Sequence, residues 1–192
     1  KGGGELWIVE AATGAARRLS EVRLHAVSSV LEWANDDSGV FASLVVATTP
    51  LAEGSRVPAG PRVRKSSGRA PPQRTARDVL RTPDDQARFA FTVTTQLAFV
   101  TLDGGAIRRL GEPVALAACD VSPDEKFLLV TRVVLPAPLG FPFYLFARKV
   151  ELWPLDPVGA GASIALGDVP LNDRSATASV SPLGPREFTW AP

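Results

Sequence analysis

Two kinds of hairpin alternate along the 192 residues of this chain, and the alternation leaves few folds open to it. The first kind begins at Glu5-Leu6-Trp7-Ile8-Val9-Glu10, turns through Ala12-Thr13-Gly14-Ala15 and returns as Arg17-Arg18-Leu19. It recurs at Gln96 to Leu102, with Asp103-Gly104-Gly105 as the turn and Ile107 to Leu110 as the return. A weaker copy runs from Val150-Glu151-Leu152-Trp153 through Asp156-Pro157. Short β-favouring apolar runs around a Gly-containing turn mark an antiparallel hairpin, because Gly supplies the positive φ that a tight turn needs. The second kind runs from Leu31-Glu32-Trp33-Ala34-Asn35-Asp36 into Val40 to Val46. It returns as Cys119-Asp120-Val121-Ser122-Pro123-Asp124 leading into Phe127 to Val130, and Phe188-Thr189-Trp190-Ala191-Pro192 matches its first half.

Self-similarity of this sort marks a repeat architecture, and four short antiparallel strands per repeat predict a β-propeller. The expected fold is therefore all-β: a partial β-propeller of about two full four-stranded antiparallel blades plus parts of two more, with a loop and short-helix insertion. The equivalent positions Trp33, Val121 and Trp190 lie 88 and 69 residues apart. Compact blades repeat every ~40–45 residues, so insertions must separate some strands. A closed ring needs about 4–8 blades, which makes residues 1–192 a fragment of one propeller domain. The chain also has no methionine and opens Lys1-Gly2-Gly3-Gly4, without the basic and apolar regions of a signal peptide, and so reads as an internal piece of a longer polypeptide.

The insertion is placed at residues 50–90. Within 55–81 stand Arg56, Arg62, Arg64, Lys65, Arg69, Arg74, Arg77 and Arg81 against one acid, Asp78. Pro58, Pro61, Pro71 and Pro72 interrupt that run and keep it from being a strand or a long helix. Thr82-Pro83-Asp84-Asp85 then predicts a helix with Thr82 as N-cap and Pro83 in its first position, ending near Ala90. A second Pro-rich stretch spans Leu135 to Phe146.

Composition excludes several classes. Lys plus Arg number 21 and Asp plus Glu 20, so the chain lacks the basic excess of a nucleic-acid or membrane-surface protein. One cysteine, Cys119, and one histidine, His25, leave no disulfide framework and no Cys- or multi-His metal centre. No run reaches the ~20 apolar residues that span a bilayer. A serine-hydrolase site needs a nucleophile, a base and an orienting acid. The nearest match, Gly161-Ala162-Ser163-Ile164-Ala165, lacks the second Gly of the nucleophile turn, and His25 is the sole base. Both are read as loop and blade residues. Asp36 and Asp124 hold equivalent turn positions, where a carboxylate accepts backbone N–H groups. Asp84 and Asp85 suit the first turn of a helix. Neither these nor Asp37 and Asp120 have calcium-loop spacing. The basic stretch lacks interleaved aromatics for base stacking and is read as a solvated or acidic-partner-facing loop. Trp7, Trp33, Trp153 and Trp190 are expected in the blade core, and Cys119 as a buried thiol. No catalytic, cofactor-binding or metal residue is assigned.

An ordered set of motifs carries a resemblance. Glu5-Leu6-Trp7-Ile8-Val9 with Thr13-Gly14 is followed by Glu32-Trp33, then by Pro58-Ala59-Gly60-Pro61-Arg62-Val63. Arg74-Thr75, Asp78-Val79-Leu80, Asp85 to Phe89, Thr95-Gln96-Leu97 and Leu102-Asp103-Gly104 come next, and Lys126 to Val130 and Lys149-Val150-Glu151-Leu152-Trp153 close the series. In this order they resemble the N-terminal propeller of the chloroplast glutamyl endopeptidase group, among the prolyl oligopeptidase-type serine peptidases. Leu135-Pro136-Ala137-Pro138 and Phe146-Ala147 depart from that group's pattern. The resemblance implies a gating, substrate-confining role beside an α/β-hydrolase domain that this chain lacks, peptide substrates and that hydrolase domain as partners, no cofactor, and the plastid stroma as location. It carries no catalytic residue onto residues 1–192, so this piece alone is expected to be inactive. The other reading is a non-catalytic propeller that serves as a binding scaffold.

Overall fold

The computed structural model describes residues 3–46, 78–155, 162–172 and 188–191. Among them are nine strands and one α-helix. In chain order they are β1 (Gly4–Val9), β2 (Ala16–Leu24), β3 (Leu31–Trp33), β4 (Gly39–Val45), α1 (Pro83–Val93), β5 (Thr94–Thr101), β6 (Ile107–Val121), β7 (Phe127–Val133), β8 (Arg148–Pro154) and β9 (Ile164–Val169). A single 3-10 turn covers Phe143–Leu145. Every strand pairing is antiparallel, in the order β1-β2-β4-β5-β6-β7-β8-β9 with β3 against β4. The first and last strands of that path do not meet, so the sheet is open. The fold is all-β and antiparallel, as expected, with one helix.

Two four-stranded units stand out in the pairing. One is β3-β4-β5 with the first part of β6, and the other is the last part of β6 with β7-β8-β9. The sequence suggests separate strands on either side of Pro113, yet Ile107–Val121 is one strand of 15 residues that serves both units. A bulge makes this possible. Residues Gly111, Glu112 and Pro113 lie opposite the lone Gln96, between the pairs Leu97↔Leu110 and Thr95↔Val114. Gly111 takes φ +59°, which bends the strand instead of ending it. The Gln96 side-chain amide then donates toward the carbonyls of Leu97 (2.9 Å), Leu110 (3.1 Å) and Gly111 (3.0 Å) around the bulge.

The hairpin turns repeat in atomic detail. Ala34 N–H donates to Gly39 O at 3.0 Å and Asp37 N–H to Ala34 O at 3.0 Å. In the second unit, Ser122 N–H donates to Phe127 O at 2.9 Å and Glu125 N–H to Ser122 O at 2.8 Å. Asp37 and Glu125 share a left-handed backbone, at φ 57° and 53°. The turns also touch. Asn35 donates from its side chain to the Pro123 carbonyl at 3.1 Å and from its backbone to the Glu125 carboxylate.

At the opposite end of the sheet the two long connections, β4 to β5 and β7 to β8, pack on each other. Thr82 caps α1 through a full capping box with Asp85, and Pro83 holds the first position as the sequence predicts. The helix runs to Val93 and not to Ala90, because Val93 is buried against Ala115 and Val133 and Thr94 closes the end on the Ala90 carbonyl. Phe89 of α1 meets Phe143 and Phe146 of the second connection at 6.0 and 5.5 Å. Gly140 N–H donates to Leu80 O at 2.8 Å. The largest buried cluster lies between the two units, where Phe41, Leu97, Leu110, Leu116, Leu128 and Trp153 interlock.

The expectation of four core tryptophans holds for Trp153, 8% exposed, holds in part for Trp190, which is half-buried, and fails for Trp7 and Trp33, 53% and 58% exposed. Most of the basic insertion, and the turn through Asp156-Pro157, lie outside the described residues.

Candidate functional site

Alternation along β8 puts Glu151 and Trp153 on one face, and Arg132 of β7 reaches the same face from the next strand. The Arg132 guanidinium donates from Nε and an Nη to one oxygen of Glu151, at 2.8 and 2.7 Å. The Trp153 indole N–H donates to the other oxygen at 3.1 Å. Burial alone would raise the Glu151 carboxyl, but these hydrogen bonds and the nearby positive charges of Arg132 and Lys149 hold it below the usual carboxylate range. The group forms one wall of an open cleft of about 430 Å³ between β6 and β8, which Gly111, Pro113, Leu155 and Ser163 also line. The cleft pairs apolar walls with one ion pair that is satisfied within the protein.

A second cleft, about 380 Å³, follows the seam between β3 and the last part of β6. Ser28, Ser29, Glu32 and Cys119 line it among apolar residues. Burial and the charge of Asp120 raise the Glu32 carboxyl, against a hydrogen bond from the Val121 backbone. Burial, then the charges of Glu32 and Asp120, push the half-buried Cys119 thiol up to about 12. A thiol held that far from ionisation is a poor nucleophile near neutral pH.

The residues singled out from the sequence fall apart in space. His25 is buried just after β2, where its Nδ1 accepts the Ser28 N–H at 2.9 Å and its backbone N–H donates to Ser43 O at 2.8 Å. Ser163 is exposed before β9 and lines the β6–β8 cleft, whose lining does not include His25. Asp36 and Asp124 do turn work: Asp36 accepts the Ser38 N–H at 3.0 Å, and Asp124 the Ser122 hydroxyl at 2.8 Å and the Lys126 N–H at 3.2 Å. The Ser38 hydroxyl and then its backbone N–H hold the Asp36 carboxyl below its ordinary range, and the Ser122 hydroxyl followed by Lys126 does the same for Asp124. Asp85 accepts the N–H groups of Arg81 and Thr82, and Asp84 pairs with Arg88 at 2.7 Å. Among the described residues no three His, Cys, Asp or Glu side chains gather as metal ligands, and no helix is long and apolar enough to cross a membrane.

Sequence reasoning missed the Arg132–Glu151–Trp153 group, though its signal is present. Glu5-Leu6-Trp7 is the same motif, and there too the indole donates to the carboxylate two residues back, at 3.1 Å. Arg18 and Arg23 stand in for Arg132, at 3.7 and 3.5 Å from Glu5. Glu-x-Trp on a strand thus places an acid and its indole donor side by side, and a cross-strand Arg completes the set.

These features are those of an antiparallel repeat with clefts in its seams, and comparison with known proteins says which proteins the chain is similar to. The chain is 33% identical to the probable chloroplastic glutamyl endopeptidase of Oryza sativa subsp. japonica over 97% of its own length. It is 30% identical to the protein of the same name from Arabidopsis thaliana over 96%. It spans about a fifth of the length of these relatives, 20% and 19% respectively. No family profile matches the chain, and no solved structure matches it. The chain is therefore homologous to one region of plant proteins named as chloroplastic glutamyl endopeptidases, the group its motifs resemble.

Proposed function

We propose that the chain is part of the β-propeller of a glutamyl endopeptidase-like serine peptidase, and that its work is to gate and confine peptide substrates. The observation that carries this reading is the alignment with the two plant relatives along nearly the whole chain. The repeated four-stranded unit supports the propeller part of it: two units follow one another in the chain with matching turns, as successive blades do. In such a protein the acyl-transfer chemistry belongs to a hydrolase domain outside these residues, with a serine nucleophile, a histidine base and an oxyanion hole. The propeller excludes folded proteins and admits short or unfolded chains. The plastid is the expected location by the relatives' names.

The test is hydrolysis by the full-length polypeptide that contains this chain. Peptides with an internal glutamate should be cut after it, the same peptides with glutamine should not, and a folded protein of like sequence should resist. A full-length polypeptide that binds peptides without cutting them would make the chain part of a non-catalytic scaffold.

A further inference from the structure

The connection from β2 to β3 is built around the one histidine of the chain. His25 is 3% exposed, whereas Ala26, Val27 and Ser29 of the loop that follows are open to solvent. The loop is tied down at Ser28, whose N–H donates to His25 Nδ1 at 2.9 Å. The Ser28 hydroxyl donates to the Leu116 carbonyl of β6 at 3.2 Å, and its carbonyl accepts the Ser43 hydroxyl of β4. Val30 closes the loop by donating to Ser43 Oγ at 2.9 Å and accepting the Ser43 N–H at 3.0 Å. Val27, Ser28, Ser29 and Val30 also line the cleft along the β3–β6 seam.

Only a neutral imidazole can make the first of these contacts. With the Ser28 N–H aimed at it, Nδ1 must offer a lone pair, so the ring hydrogen sits on Nε2. A second proton would set a donor against a donor in a site closed to water. The loop must then leave the ring for Nδ1 to reach solvent, and the Ser28 tie to Leu116 goes with it. From this geometry we infer that residues 26–30 are a latch on the seam cleft, shut while His25 is neutral and released when its Nδ1 takes a proton. Because the open loop binds a proton that the shut loop excludes, opening gains as pH falls. With the ordinary histidine value of about 6.5 in the open form, the opening constant grows about tenfold from pH 7.5 to 5.5. The neighbouring elements bring Ser43, Leu116 and Val93 to the network, none of which titrates. The charged and titratable groups around it are Arg23 of β2, paired with Glu5, and Glu32, Cys119 and Asp120 along the cleft. Glu32 is the one of these whose titration must be told apart from that of His25, since burial raises its carboxyl.

The test is amide hydrogen exchange, read by mass spectrometry on the full-length polypeptide that contains this chain. Rates at pH 7.5, 6.5 and 5.5 are each divided by the intrinsic exchange rate at that pH. Peptides covering residues 25–32 report the Ser28 and Val30 N–H groups. Their protection should fall about tenfold between pH 7.5 and 5.5, while β7 keeps its own. His25→Asn sets an Oδ1 in the place of Nδ1 and takes no proton, so it should keep the protection and abolish its pH dependence. Glu32→Gln should leave that dependence as it is in the wild type. A flat wild-type profile, a fall shared equally by β7, a dependence that survives in His25→Asn, or one that vanishes in Glu32→Gln would each overturn the latch. If His25→Asn does not fold, the wild-type and Glu32→Gln profiles still decide. No hydrolysis enters the readout, so the latch and the peptidase reading stand or fall separately.

Discussion

Trp153 lies on Gly111 so closely that a methyl group at Gly111 would sit 2.5 Å from the indole ring. The contact locks the second four-stranded unit onto the bulge in the strand that it shares with the first. Gly111→Ala adds both a clash with a buried ring and a side chain at φ +59°. The expected loss is about 3 kcal/mol, read from the urea midpoint. A loss below about 1 kcal/mol would mean that the indole yields and the seam is looser than its packing suggests.

The Glu151 carboxyl titrates below its ordinary value, so its contribution to stability is complete above about 4.5 and fades as pH falls through its lower folded value. Glu151→Gln leaves Arg132 without its counter-charge. At neutral pH it should cost about 2 kcal/mol, less than for a fully enclosed pair because Arg132 is partly open to water. Melting curves of the two proteins should converge below pH 4.5. A gap that does not change with pH would assign the cost to packing and not to charge.

Glu32 is the reverse case. Its carboxyl titrates above 4.5, so the protonated form is the one the fold prefers, and its ionisation at neutral pH works against the seam with Asp120. Glu32→Gln keeps an acceptor for the Val121 N–H and removes the repulsion. The variant should melt higher than wild type at pH 7, with the advantage shrinking as pH falls through the raised folded value and gone below about 4.5. A lower melting temperature at neutral pH would overturn this account.

Cys119 should resist alkylation. With its thiol held near 12, iodoacetamide at pH 8 should label native protein far more slowly than urea-unfolded protein. Glu32→Gln should speed native labelling modestly by removing one of the two negative neighbours. Equal rates in native and unfolded protein would show that the β3–β6 seam opens freely.

The hairpins were legible because each rests on local chemistry: Gly14 and Gly104 take positive φ in their turns, and Asp36 and Asp124 accept the N–H groups that close theirs. The helix start was equally plain from Thr82, Pro83 and Asp85. Its end was not, because Val93 stays helical by burying itself against Ala115 and Val133, partners remote in sequence. The continuity of β6 was hidden for a similar reason, since Gly111 and Pro113 look like breakers until Gln96 arrives from the neighbouring strand. Trp7 and Trp153 sit in one and the same motif yet differ in cover, a difference set by what lies opposite and not by the motif. The Arg132–Glu151–Trp153 group needed the register of β7 against β8, and that register is a property of pairing alone.

The shared strand has an evolutionary corollary. Since β6 gives its first residues to one unit and its last to the next, the border of the folding module falls inside a strand and not in a loop. A gene segment cut at either hairpin would carry half of two modules and all of neither. Such a chain grows or shrinks most safely by whole-repeat duplication in register, with the repeat counted from the middle of one long strand to the middle of the next.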